Sequence, residues 1–152
     1  PADPRLAWSE GFATYLSCLL RDSSFYMDSN AGGGWAVDIE TDVTAANPAA
    51  AMTQEVSEDM IAEILWDASD APTEDDDAIL PSSPAAVLTA ALDYLGLPSR
   101  QDRGVIGVDL VDWLDGWLLG TVLGGCPGLR DVVTTTRQFP YDYAGPAGRC
   151  PP

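Results

Sequence analysis

One glutamate near the start of the chain combines a reactive side chain with unusual neighbours. Glu10 stands in the octet Trp-Ser-Glu-Gly-Phe-Ala-Thr-Tyr at positions 8–15. A carboxylate on a helix is a common zinc ligand, and catalytic zinc usually takes three protein ligands and a water molecule. Gly11 costs a helix about 1 kcal/mol relative to alanine, so its presence indicates close packing against another helix. Periodicity alone predicts a solvent-exposed glutamate on a polar helix face, and a zinc ligand is the alternative. The small residues around Glu10 are Ala7, Gly11, Ala13 and Thr14.

The chain contains no histidine, which limits the chemistry it can perform by itself. Ser-His-Asp and Cys-His catalytic arrangements are excluded within these residues. A complete H-E-x-x-H zinc site, with two histidines one helical turn apart, is excluded as well. Glu10 alone cannot hold a catalytic zinc ion. The general base and two ligands would have to come from a segment preceding Pro1 or from a second chain.

The octet resembles the helix that carries the third zinc ligand in gluzincin metallopeptidases, and it is similar to the Gly-Glu-Gly-Trp-Ser segment of the fungalysin-like group. A second stretch agrees in order and approximate spacing. Glu55-Val56 followed by Ile-Leu-Trp-Asp at 64–67 is similar to a Gly-Glu-Val-Trp-Ala segment that leads to a Leu-Trp-Asp/Glu ending in the same families. The resemblance covers residues 5–70. It implies that Glu10 is the third zinc ligand.

The same resemblance gives Glu55 a role beside the metal site. This carboxylate would accept a hydrogen bond from a zinc ligand and so fix the orientation of that ligand. The alternative is an ordinary glutamate in the first turn of a helix, where the helix dipole favours it. The group's oxyanion-binding histidine has no counterpart, because residues 51–54 read Ala-Met-Thr-Gln.

The function implied by the resemblance is that of the C-terminal half of a secreted bacterial zinc metallopeptidase. In that class zinc activates a water molecule against the peptide bond, with the glutamate of H-E-x-x-H as general base. This chain would supply Glu10 and one wall of the cleft for a peptide or protein substrate. The competing interpretation is a non-catalytic secreted module that has lost the metal site and binds a basic partner through its acidic surface. The absence of histidine fits that interpretation directly.

The charge of the chain restricts its partners. With 24 acidic and seven basic residues, the formal net charge is −17. Such a field repels nucleic acids and anionic membranes, whereas cations and basic peptides are attracted. The apolar runs are also too short to span a membrane.

An acidic segment at 67–77 is a second candidate metal site. Its carboxylates are the hard oxygen ligands that calcium prefers. Their spacing does not match an EF-hand loop, and a solvated run of charges is the alternative. The calcium ligand candidates are Asp67, Asp70, Asp75 and Asp77.

The three cysteines predict at most one disulfide. Cys126 and Cys150 flank a segment rich in glycine and proline, where a disulfide could close the loop, and free buried thiols are the alternative. Cys18 would be left over. No C-x-x-C spacing exists, which argues against a cysteine zinc site. We expect a secreted or periplasmic protein.

Hydrophobic periodicity predicts a mainly α fold, a single helical domain over 1–152 that resembles the C-terminal subdomain of gluzincins, with one or two short strands. Residues 124–152 are expected to form an irregular tail. The predicted helices cover 5–21, 53–66, the stretch between Ser83 and Gly96, and 109–123; the predicted strands cover 35–40 and 131–136.

Overall fold

The fold is mainly helical. The computed structural model describes residues 3–41, 44–46, 51–54, 56–70, 79, 82–120, 126–145 and 150. Within these residues there are five α-helices and one antiparallel hairpin. The helices are α1 (Pro4–Arg21), α2 (Glu58–Asp67), α3 (Pro84–Thr89), α4 (Leu110–Gly120) and α5 (Cys126–Arg130), and the strands are β1 (Phe25–Asn30) and β2 (Gly33–Asp38). Two π-helical segments, Ala90–Tyr94 and Asp131–Thr136, continue α3 and α5.

Local sequence signals account for both ends of α1. The Asp3 side chain accepts a hydrogen bond from the backbone N–H of Arg5, and Pro4 occupies the first turn, where its missing N–H costs nothing. Asp22 ends the helix in the left-handed conformation, with φ 52°, and its N–H closes the last turn on the carbonyl of Cys18. The predicted helix is confirmed to within one residue.

The hairpin corrects the prediction for the segment after α1. We expected residues 35–40 to be extended and the stretch before them to be irregular. Instead β1 pairs with β2 in a register that places Phe25 opposite Asp38 and Asn30 opposite Gly33. The Asn30 side chain accepts from the N–H of Gly32 in the connecting turn, and Gly33 has φ +141°, which favours glycine. The turn chemistry therefore selects a hairpin.

Helix α2 begins later than predicted. The Ser57 hydroxyl accepts a hydrogen bond from the N–H of Met60 at 3.1 Å and caps the helix at Glu58 rather than near Thr53. Seven of its ten residues are buried, so the helix runs through the core rather than along the surface.

Helices α3 and α4 follow their predicted signals closely. The Ser83 hydroxyl accepts from the N–H of Ala86, and Pro84 opens the helix. Helix α4 begins after Asp109, as expected; the end predicted at 123 lies outside the described residues.

The strand predicted at 131–136 is wrong. The Val-Val-Thr-Thr-Thr run has high β propensity, yet it continues α5 as a π-helical segment in which Val132 and Val133 are buried. Residues 124–152 are therefore not simply an irregular tail, because Cys126–Arg130 and Asp131–Thr136 are helical. The predicted Cys126–Cys150 disulfide is present and ties α5 to the end of the chain.

The described residues share one hydrophobic core. It joins α1, α2 and α4 to the C-terminal segment, with Trp113 and Trp117 fully buried. Cys18 is free and buried, and its thiol donates to the carbonyl of Ser24. Among the described helices, none combines the length and apolar composition that a membrane crossing needs.

Candidate functional site

Glu10 lies exposed on α1, about one quarter of a turn away from the buried side of the helix. No residue of the described part of the chain donates a hydrogen bond to its carboxylate or forms an ion pair with it. The carboxylate is therefore available to a ligand that approaches from outside. This position agrees with a metal ligand supplied to a partner and equally with a solvated glutamate.

Gly11 has a packing reason within the chain. A Cβ atom at this position would lie 2.5 Å from the carbonyl oxygen of Glu58 and 2.7 Å from Cβ of Ile61. Both residues belong to α2, so Gly11 permits close contact between α1 and α2. The glycine that the sequence linked to a missing helix therefore serves a helix that is present.

The solvent-facing side of α1 has an unusual composition. We call it the outer face and define it by Leu6, Ser9, Glu10, Ala13, Ser17 and Leu20. These residues recur at spacings of three and four, as residues on one side of a helix do. Leu6 is 53% exposed and Leu20 is 86% exposed. Small and apolar residues are typical of a helix face that packs against another helix, whereas solvated faces carry mostly charges.

Glu58 is a neighbour of Glu10 that the sequence reasoning missed. Burial, then the nearby Asp59 and Glu10 carboxylates, raise the pKa of Glu58 above its ordinary value. The negative field of the Glu10–Glu58 pair would attract a cation. A signal existed in the sequence, because Ser57 is a good N-cap and places Glu58 in the first turn of α2. The separation of the two residues along the chain hid the electrostatic effect of Glu10 on Glu58.

Only some of the other predicted site residues lie in the part of the chain that the structure describes. Glu55, Asp75 and Asp77 lie outside the described residues. Asp67 is buried, and its Oδ2 accepts a hydrogen bond from Nη2 of Arg137 at 2.7 Å. In the described part of the chain, no three acidic or cysteine side chains are placed to hold a metal ion. Calcium binding at 67–77 stays a prediction.

Asp112 is a buried carboxylate with a strongly shifted pKa. Burial raises its pKa to about 7, against the lowering effect of the Asp109 N–H and the Arg100 guanidinium. Asp112 Oδ2 accepts from the N–H of Asp109 at 3.2 Å, while Asp109 Oδ1 accepts from the N–H of Asp112 at 3.3 Å. This reciprocal arrangement is a capping box at the start of α4. Its role is structural.

Asp115 anchors the same helix to two other segments. Its carboxylate accepts hydrogen bonds from Nε of Arg103 at 2.9 Å and from the hydroxyl of Tyr141 at 2.5 Å. Burial and the adjacent carboxylate raise the pKa of Tyr141, and the pairing raises the pKa of Arg103. These groups satisfy one another, so they leave no side chain poised for proton transfer.

Comparisons of the chain with protein-family models, with curated proteins and with solved structures give no match.

Proposed function

We propose that this chain is the C-terminal part of a gluzincin-type zinc metallopeptidase and that Glu10 is its third zinc ligand. The observation that carries the proposal is the outer face of α1, where one carboxylate without a described partner stands among small and apolar residues. A helix with H-E-x-x-H, from a preceding segment or a second chain, would pack on this face.

The composition of the outer face supports a helix as the missing neighbour. Ser9 and Ala13 lie one turn apart on this face beside Glu10, and both are exposed. Small side chains let two helix backbones approach closely, so that a carboxylate of ordinary length reaches a metal held by the other helix. Leu6 and Leu20, near the two ends of the face, would be buried by the same contact.

The donor set fits one position of a catalytic zinc site. Such a site takes three protein ligands, and a carboxylate is a common third member. Glu10 supplies an oxygen ligand, and Glu58 adds negative charge that favours a dication. Once bound, zinc would supply Lewis acidity toward the scissile carbonyl and toward water.

The residues of this chain would then position the zinc ligand and bind the peptide substrate. Helix α2 holds α1 in place through the close contact at Gly11, so Glu10 is presented from a rigid element. The hairpin that follows α1 exposes Phe25, Met27 and Trp35, which would offer apolar contacts to a peptide substrate beside the site. Secretion or a periplasmic location is part of the proposal, and the Cys126–Cys150 disulfide supports it.

A second function, binding without catalysis, is favoured by the net charge of −17 and the absence of histidine. An acidic module of this kind would attract a basic partner protein through long-range electrostatics. It needs no metal and no second helix on the outer face.

Native mass spectrometry of the protein isolated from its source tests the proposal. We expect a polypeptide with H-E-x-x-H, in the same chain or bound to it, and one zinc ion per complex. The complex should hydrolyse casein, and Glu10→Gln should abolish both zinc retention and hydrolysis. A metal-free chain of 16.1 kDa without such a companion would favour the binding module instead.

Two exposed leucines provide a matched control for the docking face. Leu20→Asp places a charge on the outer face, whereas Leu92→Asp places one at a residue that is 76% exposed elsewhere. Both variants should fold as the parent does. Only Leu20→Asp should prevent assembly with the H-E-x-x-H helix. Equal assembly of the two variants would contradict the proposed contact.

A further inference from the structure

A separate cavity lies between α4 and the segment formed by α3 and its π-helical continuation. We propose that this cavity binds an arginine side chain of another polypeptide, with the guanidinium at Asp93 and the stem between the walls. The site uses neither Glu10 nor the outer face of α1. It would therefore operate whether or not the chain belongs to a peptidase.

The cavity has the size and lining of a side-chain pocket. Its volume is about 480 Å³, within the range of sites that bind small molecules. One wall comes from α3 and Ala90–Tyr94, and the other comes from α4. The residues that matter for the argument are Ala86, Ala90, Asp93, Tyr94, Leu97 and Trp117.

Asp93 supplies the charge that selects the ligand. Among the described residues of the lining, Asp93 is the one carboxylate, and it is exposed to solvent. No described residue forms an ion pair with Asp93. Arg100 is engaged with Asp112 instead, with its Nε 3.1 Å from Oδ1 of that aspartate. A cation is therefore the favoured occupant beside Asp93, and the net charge of −17 adds attraction at long range.

The apolar walls suit the stem and the planar head of arginine. Arginine buries its methylene groups along apolar surface while its guanidinium remains near a carboxylate or an aromatic ring. Tyr94 and Leu97 contribute apolar surface to the lining, and Ala86 and Ala90 leave room for the stem. A neutral apolar side chain would fill the same space but would desolvate Asp93 without compensation.

The walls are fixed before any ligand arrives. A Cβ atom at Gly116 would lie 2.7 Å from Cβ of Tyr94, so α4 and the π-helical segment are in direct contact beneath the cavity. The π-helix itself is an uncommon conformation that occurs often at functional sites. Preorganised walls reduce the entropy lost on binding.

Peptide titrations followed by NMR test the proposal on the full chain. The probe is acetyl-Ala-Ala-Arg-Ala-Ala-amide, and its matched control carries citrulline, which has the shape of arginine without the charge. We expect amide shifts at Asp93, Gly116 and Gly120 and an affinity for the arginine peptide about threefold above that for the citrulline peptide, as an ion pair at an exposed carboxylate provides. Asp93→Asn should remove this preference.

Two further variants keep the result interpretable. Asp131→Asn removes an exposed carboxylate from the other π-helical segment and should leave the preference unchanged. Gly120→Leu should block both peptides without harming the fold, because a Cβ at Gly120 meets no atom of the described residues within 4 Å. Equal affinities for the two peptides, shifts spread over the acidic surface, or no shift at millimolar peptide would each overturn the proposal.

Discussion

Arg137 and Asp67 form an ion pair inside the core, with Nη2 of the arginine 2.7 Å from Oδ2 of the aspartate, although 70 residues separate them. Only 2% of the Arg137 side chain is exposed. Nη1 of the same guanidinium lies 3.1 Å from Oε2 of Glu63, whose carboxylate also accepts from the N–H and the hydroxyl of Thr44. One buried arginine thus holds two acidic residues of α2 against the C-terminal segment.

Replacement of Arg137 by methionine should destabilise the fold strongly. The variant keeps most of the side-chain volume but leaves Glu63 and Asp67 buried without a counter-charge. Removal of one partner of a buried ion pair costs about 3–5 kcal/mol. Urea unfolding followed by tryptophan fluorescence measures the loss. The control is Arg5→Met, which breaks an exposed pair with Asp3 and should change stability little. Similar costs for the two variants would contradict this account.

Signals confined to a few residues were readable from the sequence. Ser83 followed by Pro84 predicted the start of α3, because a hydroxyl cap and a proline act within one turn. The helical spacing of apolar residues after Asp109 predicted the start of α4 as well. The Gly/Pro-rich spacing of Cys126 and Cys150 also indicated their pairing correctly.

Contacts between distant residues were not readable. No residue near Asp67 in the sequence indicates that Asp67 pairs with Arg137. The acidic run, a candidate calcium site, therefore contained a carboxylate whose ion pair in the core could not be foreseen. The strand predicted at 131–136 failed for a related reason. Its β-branched residues favour a strand locally, but burial of Val132 and Val133 in a helical segment outweighs that preference. Likewise, only the fold reveals that Glu58 lies near Glu10.

The protein should become more stable as the pH falls from about 7.5 to about 5. Burial raises the pKa of Asp112 to about 7, so in this range the folded state binds a proton that the unfolded state releases. Stability then decreases as pH rises, by on the order of 2 kcal/mol across this range for Asp112. The raised pKa values of Glu58, Glu63 and Asp109 act in the same direction.

Urea unfolding at a series of pH values measures this slope. Asp112→Asn keeps an acceptor for the N–H of Asp109 but cannot titrate, so its slope should be smaller than that of the parent. Asp131→Asn, at an exposed position, should not change the slope. A stability that rises with pH in the parent would show that Asp112 is not the buried acid described here.

Reduction of the Cys126–Cys150 disulfide should lower stability. The bond closes a loop between residues 24 positions apart. The chain-entropy relation for a loop of that length gives about 3.5 kcal/mol. Thermal unfolding of a Cys126→Ala/Cys150→Ala variant measures the cost without a reductant. Addition of a reductant to this double variant should have no further effect, since the remaining thiol, Cys18, is free. A parent whose unfolding is insensitive to reduction would contradict the prediction.

Gly11→Ala should destabilise the protein even though alanine is the better helix former. The new methyl group would meet the carbonyl of Glu58 and the side chain of Ile61, forcing α1 and α2 apart. Overpacking of this kind costs about 1–3 kcal/mol, more than the gain in helix propensity of about 1 kcal/mol. Gly120→Ala is the matched control, because its methyl group meets no neighbour and should not destabilise the fold. Denaturant midpoints of the two variants should therefore move apart, and equal midpoints would argue against close helix contact at Gly11.

Glu10→Gln should hardly affect the isolated chain but should inactivate a zinc-loaded peptidase. In the isolated chain Glu10 is exposed, so the variant should change stability by less than about 0.5 kcal/mol. The pKa of Glu58, which the charge of Glu10 helps to raise, should fall toward its ordinary value, as a carboxyl ¹³C titration would measure. In a zinc-loaded peptidase the same variant should lose metal and hydrolysis, because glutamine is a weak zinc ligand. A solvated surface glutamate would give the first two results without the third. The comparison therefore separates a metal ligand from an ordinary surface residue even if both leave the fold untouched.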